Sequence, residues 1–286
     1  KSFFFYLIKN KKLKNFTHTF NFSTILAYRL QDQLDKVINF EKIETILLPY
    51  EGIPYQQNIL RFFKLKNSKI RTIGYDHSAP HSVPIHLMYR DGAPDNLIIN
   101  GKSQKEFMVH YLNWPEKKIK IAPSLRYLQN SNERFQNIIF FPWKIINFKK
   151  IIYNFENYLQ NLPNKFLNHL EVKTHPIGLD PDIQYKLKNE IEILIKKNKR
   201  KFDQKIGKDI SMFIGSTTGV IVALEKGIEV VHICFDSLFE SYSENLWPNI
   251  EVNEINNNVF TYKLKNRNTF LTFGNDEETF KNYYIN

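Results

Sequence analysis

Hydrophobic positions fall into two patterns: short uninterrupted apolar runs, and longer stretches whose apolar residues recur at helical spacing. Phe3–Ile8 reads as an edge strand, and Thr24–Val37 as a helix with Leu26, Leu30, Leu34 and Val37 on one face. Glu44–Leu48 is a compact strand that stops at Pro49-Tyr50-Glu51-Gly52. Pro54 then opens a helix over Tyr55–Lys64, its fixed φ suiting a first helical position, with Ile59, Leu60 and Phe63 inward. Lys69–Gly74 is the next strand, followed by a long loop rich in His and Pro, Tyr75–Pro94. Asn96–Ile99 is a strand, Ser103 caps a helix to Leu112, and Lys118–Ala122 is a strand again. This is the rhythm of an open parallel sheet with crossover helices.

The polar run Gln129–Gln136 reads as a linker, after which the rhythm restarts. Strand Asn137–Phe141, helix Ile151–Leu162, strand His169–Thr174 and helix Asp182–Lys197 come first. Strand Ile210–Ile214, helix Gly219–Lys226 and strand Glu229–Ile233 follow. Beyond Tyr242 the segments are shorter and more polar, helix or loop, with a late strand near Val259–Tyr262. The expected fold is α/β, with two Rossmann-like domains, residues 1–128 and 137–286, whose polar strand ends face a central cleft.

Composition agrees with packed cores: 286 residues suffice for two ordinary domains, and 42% hydrophobic content with 24 phenylalanines argues against disorder. Forty Lys+Arg against 29 Asp+Glu give a formal charge of +11. That favours an anionic partner: nucleic acid, acidic lipid, a nucleotide donor or an acidic glycan. The basic residues are scattered and no helix-turn-helix, RRM or zinc-finger pattern is present, so nucleic acid is not the expected partner. The lysine-rich run Lys186–Lys208 reads as a solvated helix face and loop. An acidic membrane surface is its alternative, if Phe140, Phe141 and Trp143 are exposed beside it. The single cysteine, Cys234, lies in an apolar run as a small buried hydrophobe, permits no intrachain disulfide, and suits a reducing compartment. No stretch approaches the ~20 apolar residues that cross a bilayer. Phe3–Ile8, followed by KNKKLK, lacks the order of a signal peptide. The expected location is cytoplasmic, peripheral to the inner membrane at most. The chain opens on Lys1, as an excised piece of a longer protein would.

In a parallel sheet, ligands bind outside the carboxyl ends of the strands. Four such ends carry unusual polar residues: Tyr50–Pro54, Gly74–His81, Thr174–Pro176 and Gly215–Gly219. Glu51 is a candidate general base, or a carboxylate facing the positive end of the next helix. Asp76 and His77 leave the next strand together and are further catalytic candidates. With His81 and His86 they match no compact zinc spacing, so no metal is expected. Lys173 and His175 share one side of their strand, and Pro176 ends it. They offer charge and a directed N–H to a nucleotide phosphate, or His175 simply packs under the next loop. Gly215, Ser216, Thr217 and Thr218 offer hydroxyls and backbone N–H groups to phosphate oxygens, or cap the following helix. There is no GxGxxG, Walker, HExxH or nucleophile-elbow pattern.

His175-Pro176, with Ser216-Thr217 about forty residues later, resembles the histidine–proline and serine–serine/threonine motifs of bacterial sialyltransferases. Related motifs occur in transferases of the acidic sugar Kdo. Tyr50-Glu51-Gly52 resembles the acidic-acidic-glycine motif that carries their catalytic base, with Tyr50 in the first acidic position. From Glu44 to about Pro248 the pattern is similar to bacterial surface-polysaccharide glycosyltransferases more broadly, Gly74–Ser78 resembling their Gly-x-x-His segment. The resemblance implies the two-domain GT-B architecture, with residues 1–128 on the acceptor side and 137–286 binding the nucleotide sugar. It implies a CMP-activated acidic sugar as co-substrate, no further cofactor, a glycan or glycolipid acceptor, and donor-phosphate contacts from His175, Ser216 and Thr217. A UDP- or GDP-sugar transferase, a sugar-nucleotide epimerase of the same fold and a nucleic-acid-binding protein are the alternatives.

Overall fold

Strands collect into three sheets in the computed structural model, which describes residues 22–129, 134–161, 170–176, 178–198 and 210–274. The expected Phe3–Ile8 strand lies outside these residues, as do half of the Gln129–Gln136 run and the end of the lysine-rich run. By their contacts the residues form two compact units. Of the described residues, one comprises those up to His77 with Ile85–Ile99 and Met108–Lys120; the other comprises Ser78–Pro84, Asn100–Phe107 and those from Ile121 onward. Residues 121–128, read from the sequence with the first domain, thus keep company with the second unit.

The first unit is built on the sheet β1 (Thr45–Pro49), β2 (Arg71–Tyr75), β3 (Asn96–Ile99) and β4 (Ile119–Ile121), paired in that order. β1–β2 and β2–β3 are parallel, with Pro49 opposite Tyr75 and Tyr75 opposite Ile98. Helix α1 (Phe22–Val37) precedes β1, and α2 (Pro54–Lys66) crosses from β1 to β2. Ile59 and Phe63 of α2 bury against Ile70, with Leu34, Phe40 and Leu48 around them. The expected inward face of α1 is only partly covered: Leu26 and Leu34 are half-buried, while Leu30 and Val37 are exposed and Ala27 is the buried residue. Helix α3 (Lys102–Tyr111), whose residues 102–107 belong to the second unit, begins one residue before Ser103, which is therefore no cap. Ser103 is buried, and its N–H donates to the Thr269 carbonyl at 2.8 Å.

The second unit holds a six-stranded sheet. Its parallel part is β6 (Ile138–Phe140), β7 (Glu171–Lys173), β8 (Ile210–Ile214) and β9 (Glu229–Ile233). The hairpin β10 (Ile250–Asn256) and β11 (Val259–Leu264) adds antiparallel strands against β9, giving the order β10-β11-β9-β8-β6-β7. Its turn is made possible by Asn258 at φ 64°, a left-handed conformation that asparagine tolerates. A short parallel pair joins β5 (Ser124–Leu128) to β12 (Phe273–Gly274). Helices α4 (Phe148–Asn161) and α5 (Pro181–Asn198) bury Ile151, Phe155, Leu187 and Ile191 against Ile139, Met212 and Val231 of the sheet. Helix α6 (Gly219–Glu225) links β8 to β9, and α7 (Ser237–Glu240) follows β9. The buried Glu225 carboxylate accepts the N–H groups of Thr269, Phe270 and Leu271 at 3.2, 2.9 and 3.3 Å, tying that late segment to α6. Among the described residues no helix is long and apolar enough to cross a membrane. Each unit is thus α/β, built on parallel strands with crossover helices.

Candidate functional site

In the first unit, the chain leaving β1 turns through Tyr50–Ile53, and the side chain of Gln56 fixes that turn. Gln56 Oε1 accepts the N–H groups of Glu51 (2.9 Å) and Ile53 (3.2 Å), while its Nε2 donates to Pro49 O (3.0 Å). Gly52 sits at φ 66°, where a Cβ would also collide with the His86 carbonyl, so only glycine fits. Arg90 and Gln57 donate to the Gly52 carbonyl at 2.9 and 3.3 Å. The loop is therefore rigid, and it carries Glu51 outward with its side chain 40% exposed.

Tyr50 points the other way. It is completely buried, its ring pressed so close over Gly74 that no Cβ fits there, and edge-on to Trp114 at 6.5 Å. An acidic residue at position 50 would be buried, out of reach of solvent, in place of a ring packed on Gly74 and Trp114.

His77, leaving β2, meets this loop: its Nε2 lies 3.3 Å from Glu51 Oε1. His86 also feels the Glu51 carboxylate. Desolvation lowers the His86 pKa, the Glu51 charge raises it, and Arg90 lowers it further; the net direction is downward. Asp76 stands apart from this cluster in character, since it is buried and its N–H donates to Ile98 O at 2.9 Å. Of the three catalytic candidates, Glu51 and His77 are brought together, both half-buried, and Asp76 is held inside.

In the second unit, the chain passes from β6 to β7 on one side, then returns to the other side of β6 for β8 and β9. The winding therefore reverses between β6 and β8, and their carboxyl ends flank the position where open α/β sheets bind ligands. Gly215–Thr218 leave β8 at that position. Gly215 takes φ 65°, with no room for a Cβ beside the Phe235 ring, and Ser216 emerges exposed. Thr217 Oγ1 accepts the Gly219 N–H at 3.2 Å, so Thr217 does the work of a cap, while Thr218 makes no side-chain capping bond. Ser216 Oγ lies 3.5 Å from His81 Nδ1.

His175 and Pro176 leave β7, two strands from β8, which places the two backbones roughly 10 Å apart at about 4.8 Å per strand. The His175 N–H donates to Gln184 Oε1 at 2.8 Å, and Gln184 Nε2 donates to Pro142 O at 3.2 Å. This buried glutamine binds the end of β7 to the end of β6. Desolvation lowers the His175 pKa, favouring the neutral imidazole. Positive charge at this end comes instead from Lys173, exposed above the Phe140 ring at 5.9 Å. Phe140 is half-buried and Phe141 buried, leaving only Trp143 of those three aromatics largely exposed.

Beneath Gly215 lies His232, fully buried. Its Nε2 donates to the Gly215 carbonyl at 2.7 Å, so its Nδ1 accepts from the Tyr262 hydroxyl at 3.1 Å. Burial pushes its pKa down to about 4. Cys234 is buried beside it, and burial pushes the thiol up, away from nucleophilic use. Sequence pattern does not single out Gln56, Gln184, Arg90 or His232, because none stands at a strand end or in a recognisable spacing.

A groove of about 1060 Å³ opens at the opposite, amino ends of the strands, between Ile228-Glu229 and the β10–β11 hairpin, and holds none of the candidate catalytic or phosphate-binding residues. Among the described residues no three or more His, Cys, Asp or Glu side chains are grouped to hold a metal ion. No protein-family model matches the chain, and no curated protein shows significant sequence similarity to it.

Proposed function

We propose that the protein is a glycosyltransferase of GT-B type, transferring an acidic sugar, sialic acid-like or Kdo, from a CMP-activated donor to a hydroxyl of a bacterial surface glycan. The observation that carries this reading is the reversal of winding between β6 and β8, with Gly215–Thr218 emerging at that reversal. Ser216, Thr217 and the backbone there receive the donor phosphate, with Lys173 and His175 at the end of β7. Glu51 takes the proton from the acceptor hydroxyl, and His77, 3.3 Å away, orients the carboxylate. The acceptor oxygen bonds to the anomeric carbon, the bond from that carbon to the phosphate oxygen breaks, and CMP leaves with the negative charge. Preorganised donors help most at that charge.

Calorimetric titration with CMP, UDP, GDP and ADP tests the donor side. CMP binding that weakens in Ser216→Ala supports the reading. A preference for UDP or GDP keeps the transferase and replaces the donor, and no binding by any nucleotide removes the reading.

A further inference from the structure

Ser216 belongs to the second unit, and so does Ser78–Pro84, a segment that comes from far earlier in the chain. That segment is held by hydrogen bonds on both sides of His81. The Tyr242 hydroxyl donates to Pro80 O at 2.8 Å, and Trp247 Nε1 donates to Ser82 O at 2.8 Å. Ser82 Oγ in turn donates to Phe239 O at 2.7 Å. Tyr242 and Trp247 are buried, and Trp247 stacks on Phe107 at 4.4 Å, so these donors are themselves immobilised.

The facing side is equally fixed. Gly215 is pinned through its carbonyl by His232 and through its N–H by Ile233 O at 2.8 Å, and Ser216 follows it directly. Two rigid supports therefore bring Ser216 Oγ and His81 Nδ1 to 3.5 Å, with Ser216 exposed and His81 half-buried. Three side-chain hydrogen bonds fix the residues on either side of His81, and with them the backbone from which its imidazole reaches the exposed hydroxyl. A hydroxyl and an imidazole side by side can both turn a donor toward one anionic oxygen, and fixed donors bind an oxyanion without reorganisation.

We propose that His81 and Ser216 together form an oxyanion site for the phosphoryl group of a nucleoside phosphate. This rests on the donor site proposed above and adds to it a histidine that no motif selects. His81 is a binding residue here.

The test measures binding of CMP, UDP, GDP, ADP and, separately, inorganic phosphate and pyrophosphate to wild type, His81→Gln, His81→Ala, Ser216→Ala and the double variant. Histidine ring resonances are followed by NMR, with melting temperature recorded for each protein. The expected result is a loss of about 10- to 100-fold in affinity for His81→Ala, as for a lost hydrogen bond to a charged group. Partial rescue is expected in His81→Gln, together with a double-variant loss smaller than the product of the single losses. The His81 resonances shift on ligand addition. If a nucleotide binds and Ser216→Ala weakens it while folded His81→Ala does not, the inference fails and the donor site stands. If only phosphate or pyrophosphate binds, with His81 dependence, the site stands and the sugar-nucleotide reading falls. No effect of any probe on the His81 resonances in wild type overturns the inference outright.

Discussion

His232 Nε2 lies 2.7 Å from the Gly215 carbonyl, so a fully buried neutral imidazole supports the turn that presents Ser216. Its folded pKa of about 4 lies below the ordinary value of 6.5. The unfolded chain therefore takes up this proton at a higher pH than the native state does. Stability from this group is complete above pH 6.5, declines as pH falls from 6.5 towards 4, and changes no further below. The loss amounts to about 3 kcal/mol across that window. Urea titrations at a series of pH values check it, with His232→Gln expected to flatten this part of the profile. An unchanged acid slope in a folded His232→Gln protein would remove the assignment.

Tyr50 belongs to the core of the first unit. Tyr50→Phe loses only a long hydrogen bond from Gln57, 3.5 Å, and is expected to cost about 1 kcal/mol or less. Tyr50→Asp buries a carboxylate in place of the packed ring and is expected to cost about 4 kcal/mol or more, leaving little folded protein. A well-folded and more active Tyr50→Asp protein would mean that position 50 belongs to the site and not to the core.

Gln184 joins the ends of β6 and β7. Gln184→Leu leaves the His175 N–H and the Pro142 carbonyl without this partner, at a cost of about 1–3 kcal/mol. If His175 contacts the donor, nucleotide affinity falls as well; a stability loss with unchanged affinity would return His175 to a purely structural role.

Much of this architecture is legible in the sequence because parallel strands buried on both faces read as short apolar runs. Asn96–Ile99, Ile210–Ile214 and Glu229–Ile233 are bounded by that signal alone. The β10 strand is not, because it lies at the sheet edge and reads Ile-Glu-Val-Asn-Glu-Ile-Asn, mostly exposed. β5 escapes for another reason: it pairs with β12 more than a hundred residues later, and no local pattern encodes that pairing. Glu51, in the first unit, and His175 and Ser216, in the second, are legible as polar residues at strand ends. Gln56, Gln184 and His232 act by holding the backbone beneath those residues, a role that depends on tertiary placement and leaves no mark in local spacing. His81 is visible in the sequence only as one histidine among several in its loop; the bonds that fix it come from Tyr242 and Trp247, some 160 residues away.

Glu51→Gln keeps the shape of the side chain and removes its charge. As general base, Glu51 is expected to contribute about 10²–10⁴ to kcat, with nucleotide affinity and melting temperature nearly unchanged. A carboxylate that only favours the α2 dipole predicts the reverse: near-normal turnover and up to about 1 kcal/mol of lost stability. Asp76→Asn, at a buried position, is expected to lower stability first.

The most direct measurement is nucleotide release from CMP-linked sialic acid and CMP-Kdo, and from UDP- and GDP-sugars, with a bacterial glycan acceptor present. The glycosyltransferase reading predicts release of CMP from an acidic-sugar donor, matched by sugar on the acceptor and abolished in folded Glu51→Gln. Folded wild-type protein that releases no nucleotide from any of these donors would contradict it.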